Sequence, residues 1–243
     1  MKFLCALLLL VSVKGFAQYP FEKYASKKYD SVLFKTISVN GSTNVFVAKY
    51  KGYRIELLEL RLKDSSNLLL YYKNKLIQKI KGDDFLSPYI QENQPLYISD
   101  INGDGLVDFK FASANIGASG LASSRIFMFY LFNRGKNKFS LISFGDFFDG
   151  SREGYGSPKE YQFQTGGKYE IIGQSLAHYK DHNYWLFDLY NYKNGRLVNV
   201  SKKYNYPIAV PYLFKETYKV TNKIPKKQLE QLSLKVPEFY NAN

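Results

Sequence analysis

Tyr184-Trp-Leu-Phe-Asp-Leu-Tyr190, a turn at Asn194-Gly195, and Leu197-Val-Asn-Val200 read together as a β-hairpin. Aromatic and β-branched residues favour extended backbone, and Asn-Gly tolerates the positive φ that a two-residue hairpin turn demands. The same format appears twice more upstream. Leu68-Leu-Leu-Tyr-Tyr72 turns at Lys73-Asn74 into Leu76-Ile-Gln-Lys-Ile80. Ile126-Phe-Met-Phe-Tyr-Leu-Phe132 turns at Arg134-Gly135-Lys136 into Phe139-Ser-Leu-Ile142. A fourth pair of strands brackets Gly52: Val45 to Tyr50, then Tyr53 to Leu62. In that second strand the apolar phase shifts at Leu57-Leu58, which reads as a bulge or as a short helix. The hairpins recur roughly every 60 residues, longer than a propeller blade of ~40–45. The expected fold class is therefore all-β and antiparallel, a hairpin-built sandwich or propeller-like single domain. A short helix is expected near the C-terminus, around Lys226 to Leu234.

Composition supports this reading. Of 243 residues, 45% are hydrophobic, with 22 Tyr and 19 Phe, so the chain can bury a sizeable core. That excludes a disordered tail and a disulfide-stapled mini-protein. The first 17 residues stand apart from the fold. Lys2 forms a positive start, Phe3 to Val13 is an apolar run, and Gly15-Phe16-Ala17 has the small-x-small pattern of a signal-peptidase site. Residues 1–17 are thus expected to be a signal peptide and residues 18–243 a single all-β domain. The apolar run is too short to span a bilayer, and no later stretch approaches the roughly 20 residues required. The mature protein is expected to be exported, to the periplasm or the extracellular space, with no transmembrane segment. Cleavage removes Lys2, Lys14 and Cys5, lowering the formal charge from +13 to +11 and leaving no thiol. Stability in an oxidising compartment then has to come from the core or from a bound ion.

A candidate ion site is Asp100-Ile-Asn102-Gly-Asp104-Gly105-Leu106-Val-Asp108. Calcium is a hard cation that takes six to eight oxygens, and this spacing places side-chain oxygens at loop positions 1, 3, 5 and 9 with Gly at 6. The carbonyl of Leu106 supplies position 7. Position 12 is Phe111 in place of the bidentate Glu of an EF-hand, and Val107 to Phe111 alternates like a strand. The expectation is an EF-hand-like calcium loop at 100–108, set between strands and structural in role.

Two long loops are expected, one from Ser113 to Ser124 containing Gly117-Ala-Ser119-Gly120, the other from Gly145 to Pro158 with Asp146, Asp149, Arg152 and Glu153. Loops of such length usually have a function. The calcium loop followed by a strand resembles the FG-GAP and VCBS loops of integrin-type and other extracellular β-repeat proteins. Taken with Phe109-Lys-Phe111, the Gly117-to-Gly120 loop, Phe127 to Phe132, Arg134-Gly-Lys136 and Phe139, the stretch resembles bacterial periplasmic lysozyme inhibitors and related immunity proteins. The resemblance spans about 40 residues. It implies a partner, a lysozyme or other peptidoglycan hydrolase, whose catalytic carboxylates would be met by Ser119, flanked by Gly117 and Gly120. The Tyr common after that motif is absent, with Leu121 and Ala122 in its place.

Enzymatic readings find little support. His178-Tyr-Lys-Asp-His182 would place two imidazoles on one face only if helical, and its flanks are strand-like. Gly117-Ala-Ser119-Gly120-Leu121 ends in Leu where a nucleophile elbow needs Gly. The expectation is a non-enzyme. Lys27-Lys28, Lys73 with Lys75, Lys202-Lys203 and Lys226-Lys227 are interleaved with Tyr. This pattern fits an alternative partner, an anionic glycan or lipopolysaccharide of the cell envelope. No nucleic-acid-reading module is present.

Overall fold

The hairpin at Asn194-Gly195 forms as expected in the computed structural model, which describes residues 29–40, 43–60, 65–82, 93–114, 125–148, 162–165, 168–212, 220–237 and 241–242. The expected signal peptide and the Gly117-to-Gly120 motif lie outside them.

After β1 (Asp30–Leu33), five strands form an antiparallel meander in chain order: β2 (Lys35–Asn40), β3 (Thr43–Tyr50), β4 (Tyr53–Leu60), β5 (Ser65–Tyr72) and β6 (Lys75–Gly82). A second sheet holds β7 (Pro95–Ser99), β8 (Asp108–Ala114), β9 (Arg125–Asn133) and β10 (Phe139–Phe148). Its edges are closed by β1 against β7 and by β16 (Asn241–Ala242) against β10. The third sheet contains β11 (Gln162–Thr165), β12 (Lys168–Tyr179), β13 (His182–Lys193), β14 (Arg196–Asn199) and β15 (Ile208–Pro211). Here β14 and β15 pair with successive parts of β13, separated by a 3-10 turn at Ser201–Tyr204. Helix α1 (Lys226–Leu232) is the expected C-terminal helix. The all-β expectation therefore holds.

Side-chain alternation stacks the three sheets. Phe109, Phe111, Phe129, Leu131, Phe139 and Leu141 face the first sheet and share a core with Phe46, Ile55, Leu57, Leu68 and Leu70. Tyr130, Phe132 and Ile142 face the opposite way and pack with Ile171, Tyr190 and Leu197 of the third sheet. The second sheet is thus the middle layer. Tyr53 anchors the first interface, its ring 5.4 Å from Phe109 and 5.9 Å from Phe139. Gln78 links the same layers: its side-chain amide donates to the Phe139 carbonyl at 2.7 Å and accepts from the Phe139 N–H at 2.8 Å. This is how one side chain can substitute for a strand neighbour.

Four hairpins close through two residues that both have positive φ: Lys51-Gly52, Lys73-Asn74, Lys180-Asp181 and Asn194-Gly195. That is the backbone twist type I′ turns supply. Two sequence expectations need correction. β4 pairs with β3 and β5 without interruption, so neither a bulge nor a helix occurs at Leu57-Leu58. As the strand lies inside its sheet, Ile55 and Leu57 enter the core while Leu58 remains on the outer face, half-buried. The register shifts fall elsewhere, at Thr36/Ser38, Leu70/Tyr71 and Gly145/Phe147. The turn expected at Arg134 to Lys136 runs on to Lys138, closed by the Arg134 N–H to the Lys138 carbonyl at 2.7 Å.

On the third sheet, Asp188 is 1% exposed and accepts four hydrogen bonds. The donors are the Ser201 and Ser233 hydroxyls at 2.7 and 2.6 Å, the Asn199 amide at 3.1 Å and the Leu234 N–H at 3.3 Å. One carboxylate thus fastens the segment after α1 to the end of β14. Replacing it, as Asp188→Ala, strands several buried donors and is expected to cost about 2–4 kcal/mol. Urea unfolding followed by tryptophan fluorescence will measure this, while Leu76→Ala, at a half-exposed site, is expected to stay within about 0.5 kcal/mol of wild type.

Candidate functional site

The calcium-loop sequence connects β7 to β8, with Ser99 opposite Asp108 in the hairpin that it closes. Gly103 and Gly105 both take positive φ, 74° and 86°, and so fold the chain tightly enough for Asp100 to cap it. Asp100 Oδ1 accepts from the Asp104 N–H at 3.0 Å and Oδ2 from the Gly105 N–H at 2.9 Å. Asp104 Oδ1 accepts from the Leu106 N–H at 2.8 Å, and the Asn102 amide donates to Asp104 Oδ2 at 3.0 Å. Asp100, Asn102 and Asp104 therefore converge on one turn, with the backbone of Leu106 beside them.

Asp108 plays a different part. It is fully buried, and its two oxygens accept from the Ile101 N–H at 2.8 Å and the Asn133 N–H at 2.7 Å. It clamps the loop to the end of β9. Burial pushes its carboxyl up to about 7, aided by the negative charges of Asp104 and Asp100 and opposed by the two backbone donors. Among the described residues no three His, Cys, Asp or Glu side chains form a metal-ligand group. The residues that would hold a calcium ion are a mixed set, Asp100, Asn102, Asp104 and the Leu106 carbonyl. Burial is the main cause of that shift, and the smaller contribution of the Asp100 and Asp104 charges is the part a divalent cation in the loop would relieve.

The same end of the molecule gathers most of the hairpin tips. The Lys73 N–H donates to the Gly52 carbonyl at 2.8 Å, joining two of them. The Tyr53 hydroxyl donates to Asn137 Oδ1 at 2.8 Å, bringing in the 134–138 turn. The Asp108–Asn133 bond adds the loop between β7 and β8, and Tyr192 stacked on Phe132 at 3.9 Å adds the Asn194-Gly195 turn. These tips expose eight cations: Lys51, Lys73, Lys75, Arg134, Lys136, Lys138, Lys193 and Arg196. Among the described residues three acids accompany them, Asp30, Asp100 and Asp104. Lys51 and Lys73 lie over the rings of Tyr50 and Tyr72, 5.1 and 5.6 Å from the centroids. The sequence contains each of these cations, but their convergence depends on the sheet stacking, which no local pattern reveals.

Other candidates separate. His178 pairs across the hairpin with Asn183 and His182 with Tyr179, so the two imidazoles fall on opposite faces of the sheet. His178 Nδ1 instead lies 3.0 Å from Asn183 Oδ1. Gly117, Ser119 and Gly120 fall between β8 and β9, outside the described residues, as do Asp149, Arg152 and Glu153. The strands that frame them are described. Ala114 pairs with Ile126, and Arg125 with Phe148, so both long connections leave the middle sheet at one end, opposite the loop between β7 and β8. Comparison with family models, with curated proteins and with solved structures finds no match for this chain.

The two kinds of aspartate are separable by experiment. Asp104→Ala is expected to abolish any calcium-dependent rise in melting temperature while leaving the calcium-free protein little changed. Asp108→Asn aims an amide N–H at one of two backbone donors and is expected to cost about 1–3 kcal/mol with or without calcium. Melting of residues 18–243 in calcium and in chelator will check both, and a calcium response that survives in Asp104→Ala rules out this loop as its source.

Proposed function

We propose that this is an exported, calcium-stabilised binding protein without enzymatic activity, and that its partner is an anionic polymer of the cell envelope, a glycan or lipopolysaccharide. The carrying observation is the set of eight exposed cations on the hairpin tips at one end of the sheet stack. Charge gathered on one face raises the local concentration of a polyanion and speeds its capture, and neighbouring Tyr rings offer faces to sugars. Calcium, held by Asp100, Asn102, Asp104 and Leu106, would cancel most of the negative charge within this face and fix the loop. The expected result is salt-sensitive binding to purified lipopolysaccharide or sacculi. Substituting Lys51, Lys73, Lys136 and Lys193 together by Gln should weaken it by about tenfold or more. Undiminished binding by that variant defeats the proposal.

A second reading, inhibition of a lysozyme or other peptidoglycan hydrolase through Gly117, Ser119 and Gly120, is favoured by one observation. The connections that hold Ser119 and Asp149 leave the same end of the middle sheet, away from the cationic tips. Acidic residues such as Asp149 and Glu153 in the second connection would suit a basic muramidase, which the net positive charge of the chain repels. A muramidase panel with wild type and Ser119→Ala tests this. Inhibition that weakens in the variant supports it, and no inhibition at micromolar protein removes it.

A further inference from the structure

The geometry points to a second, smaller binding site on the third sheet, for a sugar-sized anion that bears a carboxylate or a phosphate. A groove of about 530 Å³ runs between the 3-10 turn at Ser201–Tyr204 and the segment that follows α1. Its size lies within the range of small-molecule sites. Lys202, Lys203 and Lys235 line it, with Glu230 as the acidic member of the lining. Glu230 is engaged by Lys202 at 3.0 Å, which leaves Lys203 and Lys235 as the lining cations without an acidic partner among the described residues. Val200 and Leu234 add apolar surface between them.

Each part matches one part of the proposed ligand. The two lysines suit a single anionic group, which charge-assisted hydrogen bonds hold strongly. The Lys202–Glu230 pair presents both a donor and an acceptor for hydroxyls. The apolar residues suit the C–H face of a ring. The walls are also fixed, because both are tied beneath the groove to the buried carboxylate of Asp188, through Ser201 and Asn199 on one side and Ser233 and Leu234 on the other. Preformed walls spare a small ligand the cost of ordering its site. The site requires none of the cations at the hairpin tips and stands or falls independently of polymer capture there.

Calorimetry at low ionic strength with glucuronate, glucose 6-phosphate, inorganic phosphate and glucose tests the assignment. Wild type is expected to bind at least one of the two sugar anions and to ignore glucose, and the preference between them identifies the anionic group. Lys203→Gln with Lys235→Gln, both at exposed positions, should weaken binding about tenfold or more at an unchanged melting temperature. The four-lysine tip variant should bind like wild type. The assignment is overturned if neither sugar anion binds at about 10 mM, if the double variant binds equally well, or if inorganic phosphate binds as tightly as glucose 6-phosphate.

Discussion

Burial of the middle sheet on both faces is the constraint from which the remaining architecture follows. In β9, Phe129, Tyr130, Leu131 and Phe132 are all buried, so consecutive residues need opposite covers. The first sheet supplies one and the third supplies the other. A strand of this kind cannot use polar residues to mark an outer face, as most antiparallel strands do. Where the middle sheet does carry polar groups, they are put to structural use. Asp108 accepts two backbone bonds and Asn133 holds its own turn through Gly135 at 3.0 Å.

Stacking of this sort gives the molecule two unlike ends. Three of the four short positive-φ turns, at Gly52, Asn74 and Gly195, meet the calcium-loop sequence at one end and bring their lysines with them. The long connections beyond Ala114 and Phe148 depart from the other. The two functional readings therefore draw on different residues, the hairpin tips for one and connections framed by the far ends of β8, β9 and β10 for the other. The groove near Asp188 is a third surface, on the edge of the outer sheet, where a buried acid determines the shape and exposed bases determine the charge.

Much of the fold is legible locally, because turn chemistry and strand composition act over a few residues. Asn194-Gly195, Lys73-Asn74 and Gly52 all mark real hairpins. The Leu57-Leu58 phase shift misleads because the outer face of the first sheet also carries apolar residues, so alternation does not identify the core side. His178 and His182 look like a pair in sequence and are separated by the single residue of offset across a two-residue turn. In the stretch from Asp100 to Asp108, spacing places the acids on one loop but cannot tell which carboxylate caps the turn and which clamps the strand. That distinction rests on Asn133, distant in sequence and brought close by β9.

The two edges of the middle sheet come from opposite regions of the chain, β1 beside β7 and β16 beside β10. The first sheet, by contrast, pairs only neighbours in sequence. During synthesis from the N-terminus, the first sheet has all its strands early, whereas the edge of β10 at Ile142 and Ser143 gains its partner only when Asn241 and Ala242 arrive. Distant pairings of this kind slow folding, and open edges invite pairing with other chains. A chain interrupted before those two residues would keep its cores and bare the backbone of Ile142 and Ser143, the part of that edge where pairing with another chain is expected.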